Sequence, residues 1–223
     1  MMKYYTPKSG RWVVIDIETL GLDPKRYAMV EIAAVTDDGD HWESGPIRID
    51  SPRFQSDALA CNAAHQWHPQ FAGIDLTKFC DSTRQESAIK EFAEKGAFLP
   101  TPRAAVTDLI SFCRGRKKSD REQYIIAGRF PQFDIGFLKH AAEYDAPNRL
   151  KEDLNSVFCL NENLDIHDLV RWSLIYNRDP VQHLSKNDRY EHIGSRVEPL
   201  PHRAMQGAIM EWEQINMCFN IGK

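Results

Sequence analysis

Several things are scarce in these 223 residues. Cysteine is one: there are five, at 61, 80, 113, 159 and 218, with no CxxC or CxxH spacing. An odd count without ligand spacing speaks against a zinc framework or a disulfide scaffold, and for free thiols in a reducing cytoplasmic setting. Long apolar runs are missing too. No stretch approaches the ~20 residues of a membrane span, and the opening "MMKYYTPKSGRW" lacks the apolar segment of a secretory signal. There is no excess of positive charge: 28 Lys and Arg stand against 32 Asp and Glu, a net −4. That balance argues against a protein that coats nucleic acid through a broad basic face, because phosphate neutralisation dominates such binding. It leaves room for a small, locally positive cleft. The one dense basic run, "CRGRKKSDR" (113–121), reads as a solvated loop.

Repeats, low-complexity tracts and linkers are also lacking, so the chain reads as one domain over 1–223. "RWVVIDI" (11–17) is a short β-branched run and reads as a buried strand. "AMVEIAAVT" (28–36) reads as a second strand, and "DDGD" (37–40) as a hairpin connection to a third within "HWESGPIRI". The middle of the chain, 51–120, is mainly helical in pattern. "DSTRQESAIKEFAEKG" opens on an Asp/Ser cap signal, and "TPRAAVTDLISFCRG" has a capping threonine, Pro at the first helical position and a terminal glycine. "EQYIIAG" (122–128) returns to strand, and "PQFDIGFLKHAAEY" (131–144) is a helix beginning at a proline. A short apolar stretch near 157–160 suggests a last strand, passing into a helix at "LDIHDLVRWSLIY". Residues 177–199 are polar and turn-rich and read as a mobile loop, and a helix from about 202 to 218 closes the chain. Antiparallel strands followed by strands alternating with helices predict a mixed α/β domain.

Chemistry is most legible at the end of the first strand. Asp16 and Glu18 are two apart, so both carboxylates project from one side of it. Two acids side by side on an apolar strand repel each other and are costly to bury. A hard divalent cation, Mg²⁺ or Mn²⁺, gives a reason to keep them; a strand-end pair facing water is the plainer alternative. Asp134 lies in the first turn of a helix between Phe133 and Phe137, where an acid also suits the macrodipole. His202 follows a proline just before an apolar helical stripe.

Together the three segments resemble the DEDD (DnaQ-like) 3′–5′ exonucleases, in the branch with a catalytic histidine. "DIETLGL" (16–22) matches the family's D-x-E-T-x-G-L, "FDIGFL" (133–138) its F-D-x-x-F-L, and "HRAMQGA" (202–208) its H-x-A-x-x-D-A. With "NAAHQWHPQF" and the helical middle, the chain looks most like the compact phage exodeoxyribonuclease A and mycobacterial exoribonuclease group. The resemblance implies an RNase H-like α/β fold, a mixed five-stranded sheet flanked by helices. It implies two divalent metal ions, Mg²⁺ or Mn²⁺, roughly 4 Å apart around the scissile phosphate. Asp16 would bridge them, Glu18 would hold the ion that activates water, Asp134 would support the second, and His202 would be the general base. Thr19, Leu20 and Gly21 would meet the 3′-terminal nucleotide through their backbone, with Leu22 as a wedge against its base. Trp67 is a candidate stacking platform, with a core or surface tryptophan as its plainer reading. The implied partner is the 3′ end of single-stranded DNA or RNA, with no membrane; monomer and homodimer both stay open.

One position departs from the pattern. Five residues after His202 the family has an aspartate that ligates the water-activating metal, and here stands Gly207. Helix stability gives no reason for it, since glycine inside a helix costs about 1 kcal/mol relative to alanine. Four explanations compete: Glu211, one turn on, substitutes; Gln206 or water fills the position; cleavage has been lost and only nucleic acid or partner binding remains; or the change is a deliberate inactivation. His183 and Asp188 in "HLSKND" also have the required spacing, but no apolar helical stripe follows them.

Overall fold

The computed structural model describes residues 11–49, 67–74, 83–144, 149–169 and 203–220. The expected loop 177–199, the alternative pair His183 and Asp188, and His202 itself lie outside these residues.

Five strands form one mixed sheet in the order β3-β2-β1-β4-β5. They are β1 (Trp12–Thr19), β2 (Met29–Thr36), β3 (His41–Glu43), β4 (Tyr124–Gly128) and β5 (Phe158–Asp165). β2 runs antiparallel to both β1 and β3, whereas β1, β4 and β5 are parallel. Helices α1 (Gln85–Gly96), α2 (Pro102–Arg114), α3 (Pro131–Tyr144), α4 (Arg149–Val157) and α5 (Ala204–Asn220) complete the set used below. The period of two along β1 splits its side chains between two cores. Val13, Ile15 and Ile17 enter the larger one, with residues of α2, α3 and α4, while Val14 joins Ala33, Ala127, Ala204, Ala208 and Ile215 beneath α5. Helices thus cover both faces of an α/β sheet. Among the described residues no helix is long and apolar enough to cross a membrane.

Local chemistry explains most boundaries. Thr101 Oγ1 accepts the Ala104 N–H at 3.1 Å and Pro102 begins α2, as the sequence predicts. The hairpin after β2 closes through Thr36 and Asp40, with Gly39 at φ +89°. β3 is shorter than expected. Gly45 takes φ +61° and Pro46 offers no N–H, so the chain leaves the ladder while Ser44 and Ile47 still donate to Ile32 and Val30.

Two helices differ from the sequence reading. α1 begins at Gln85, with Arg84 before it supplying no side-chain cap; the expected Asp/Ser cap lies outside the described residues. α4 was not anticipated, although Leu150, Leu154 and Val157 bury one helical stripe. The basic run is largely exposed past the end of α2, as the sequence suggests, and carries surface ion pairs. Arg114 pairs with Asp153 at 2.6 Å, and Arg116 pairs with Asp40 at 2.7 Å and stacks on Phe112 at 3.9 Å.

Candidate active site

β1 outruns its parallel neighbour. The β1–β4 ladder pairs Trp12–Val14 with Ile125–Ala127, yet β1 continues to Thr19. Past Val14 its backbone needs other partners, and Asp134 from the first turn of α3 provides one: its Oδ1 accepts the Ile17 N–H at 3.2 Å. This brings Asp134 to the end of β1 that carries Asp16 and Glu18. It is also the carboxyl end of the parallel strands, where open α/β sheets place their ligands.

Across the antiparallel ladder Asp16 faces Ala33 and Glu18 faces Glu31. Directly opposed residues share a sheet face, so Glu31 belongs to the same acidic side, which α5 covers. Glu31 is fully buried and balanced by Arg203, whose Nη2 donates to its Oε1 at 2.6 Å and whose Nε lies 3.1 Å from both oxygens. Glu31 Oε2 also accepts the Ala204 N–H at 2.8 Å, one of the orphan donors at the start of α5. The Arg203 guanidinium lies 4.3 Å over the Trp67 ring, and its pKa is raised, first by the hydrogen bond to Glu31.

That anchoring sets α5 very close to β1. Ala204 and Ala208 are buried against the sheet, and Gly207 faces Asp16: a Cβ there would stand 2.4 Å from Asp16 Oδ2. The position expected to carry a metal-binding acid therefore does look onto the first acid of the set.

Glu211, one turn along, is buried at the turn after β4, near enough to Asp134 for its charge to act on that carboxyl. Its Oε1 accepts the Arg129 N–H at 3.2 Å and stands 3.7 Å from Arg129 Nε, while its Oε2 lies over Gly128. It braces the turn between β4 and α3. Burial pushes the Asp134 carboxyl well above the usual range, and the Glu211 and Glu18 carboxylates add to the shift.

The other expected contact residues take mixed positions. Leu22 is 83% exposed, as a wedge would require, whereas Leu20 is buried and its N–H goes to Ala28. Thr19 Oγ1 donates to Gly21 O at 2.8 Å. Gly21 makes a close approach, but to Tyr27: a Cβ would lie 2.5 Å from its ring. Trp67 is carried by a short segment that buries His68 and Gln70 against Ile47 and Ile49, and it receives Arg203 on its ring. Sequence reasoning missed Glu31 and Arg203; an acid in the middle of an otherwise apolar strand was the available signal for the first. A concavity of about 510 Å³ beside Lys139, Glu143, Lys151 and Phe158 lies at the amino end of β5, the far end of the sheet from these acids.

The donor set suits a hard divalent cation in kind, since Asp16, Glu18 and Asp134 offer carboxylate oxygens. It falls short in number: among the described residues no three His, Cys, Asp or Glu side chains stand together so as to hold a metal ion. No protein-family model matches the chain, and comparison with curated proteins finds no relative.

Proposed function

We propose that this chain is a metal-dependent 3′–5′ exonuclease of RNase H-like fold in which the water-activating metal position has lost its last carboxylate, leaving hydrolysis weak. The observation that carries the reading is Gly207 facing Asp16, at the end of β1 that also bears Glu18 and receives Asp134 on its Ile17 N–H. Asp16, Glu18 and Asp134 would hold Mg²⁺ or Mn²⁺, which when bound supplies stabilisation for the attacking and leaving oxygens of the phosphodiester.

The remaining work belongs to the chain. Ile17 N–H fixes Asp134, and the Glu31–Arg203 pair fixes the start of α5, hence the depth at which Gly207 meets β1. His202, next to Arg203 in sequence, takes the proton from attacking water as a neutral imidazole. Leu22 stands at the rim to meet the terminal base of single-stranded nucleic acid. Glu211 braces the β4–α3 turn by accepting the Arg129 N–H, and its charge bears on Asp134.

The missing carboxylate itself favours a second reading, a module of the same fold that binds nucleic acid or a partner without cleaving it. Incubation with Mn²⁺ and a 5′-labelled single-stranded oligonucleotide separates the two. The first reading expects a slow ladder shortened from the 3′ end, stopped by a blocked 3′ terminus and by chelator. Tight binding with no shortening at any Mn²⁺ concentration would select the second.

A further inference from the structure

Phe130 has a backbone at odds with its side chain. It takes φ +58°, the left-handed region that glycine or asparagine enters readily and that a bulky residue enters only under strain. Burial of the ring does not compensate, for Phe130 is 58% exposed. The turn around it is over-determined. Arg129 N–H goes to Glu211, and Phe130 O accepts the Phe133 N–H at 2.8 Å in front of the helix that carries Asp134. The ring meets His167 nearly perpendicularly, centroids 4.8 Å apart, and the His167 N–H is held by Asp165 Oδ1 at 2.8 Å. A half-exposed aromatic, strained at the backbone and oriented by a neighbour, thus stands in the loop after β4. Leu22 stands likewise in the loop after the adjacent strand β1. Pro24 in that loop approaches Gly136 of α3, the helix that follows Phe130 and carries Asp134.

We propose that Phe130 is a stacking platform for a base of the bound strand, with His167 as its positioning residue. The inference rests on the exonuclease reading and names a subsite for it. Such platforms are sequence-tolerant, because every base offers a π face. They are effective when the ring is already oriented before the ligand arrives.

Binding of a labelled single-stranded DNA in Ca²⁺, read together with thermal stability, tests it. Phe130→Asn, which suits the left-handed backbone, should melt no lower than the parent chain yet bind about tenfold more weakly or worse. Phe130→Trp should bind within about twofold of the parent. A scan of single abasic sites near the 3′ end should find one nucleotide whose base matters to the parent chain and not to Phe130→Asn. Equal binding by Phe130→Asn and parent overturns the platform while leaving the exonuclease reading intact. Loss of affinity together with loss of stability, unrescued by Phe130→Trp, assigns Phe130 a structural role and overturns it too. A parent chain that binds no single strand removes both.

Discussion

Gly207 of α5 and Asp16 of β1 occupy each other's space: a Cβ at position 207 would stand 2.4 Å from Asp16 Oδ2 and 2.8 Å from its Cγ. A side chain at position 207 therefore requires the Asp16 carboxylate to turn aside. Gly207→Ala is expected to be neutral or destabilising in the parent chain. In an Asp16→Ala background it should instead stabilise, by up to about 1 kcal/mol, the ordinary advantage of alanine in a helix. Urea unfolding of the four proteins gives the coupling directly. The same effect of Gly207→Ala in both backgrounds would show that the two residues do not meet.

Removal of Arg203 should be among the costlier single changes on α5. Arg203→Ala leaves Glu31 buried without its cation and is expected to cost about 2–4 kcal/mol, below the full value for buried pairs because Arg203 is partly exposed. Lys151→Ala, which breaks the exposed pair with Glu143, should cost under about 1 kcal/mol. Similar losses for the two would mean that Glu31 is not held as described.

Asp134 makes stability depend on pH in an unusual direction. Its folded pKa is raised, by burial first and then by Glu211, so the folded chain binds this proton more tightly than the unfolded one. Stability from this group is complete below the unfolded carboxylate value of about 3.9 and is lost as pH rises toward the folded value. Asp134→Asn keeps an acceptor for Ile17 N–H and removes the titration. With divalent ions chelated, it should raise Tm at neutral pH and lose that advantage near pH 4. An advantage of constant size across this range would contradict the raised pKa.

Divalent ions should bind at the end of β1 that carries Asp16 and Glu18. Calorimetric titration with Mn²⁺ is expected to give weak heats in the parent chain and none in Asp16→Asn. In Gly207→Asp, affinity should tighten at least about tenfold, as another oxygen ligand joins the set. Absence of any Mn²⁺ binding by the parent chain would count against both exonuclease-derived readings.

What the sequence made legible follows the reach of each signal. Strands β1, β2 and β4, the hairpin at Gly39 and the caps of α2 depend on neighbours in sequence, and periodicity and turn chemistry reveal them. The pairing of Asp16 with Glu18 is legible for the same reason, a spacing of two in a strand. Glu31 is different: its partner Arg203 lies 172 residues away, and the register that sets it opposite Glu18 is a tertiary fact. The strain at Phe130 is equally hidden, because "GRFPQFD" announces a helix start but not the sign of a φ angle. Gly207 was legible as a gap, and its contact with Asp16 shows why the gap is tight.

The central claim is that Gly207 stands in a metal ligand's place in an exonuclease site. The most direct measurement is the Mn²⁺-dependent rate of 3′-end hydrolysis by Gly207→Asp relative to the parent chain. The account predicts a gain of about two orders of magnitude or more, since charge stabilisation carries most of phosphoryl transfer. A folded Gly207→Asp that hydrolyses no faster than the parent chain would contradict it.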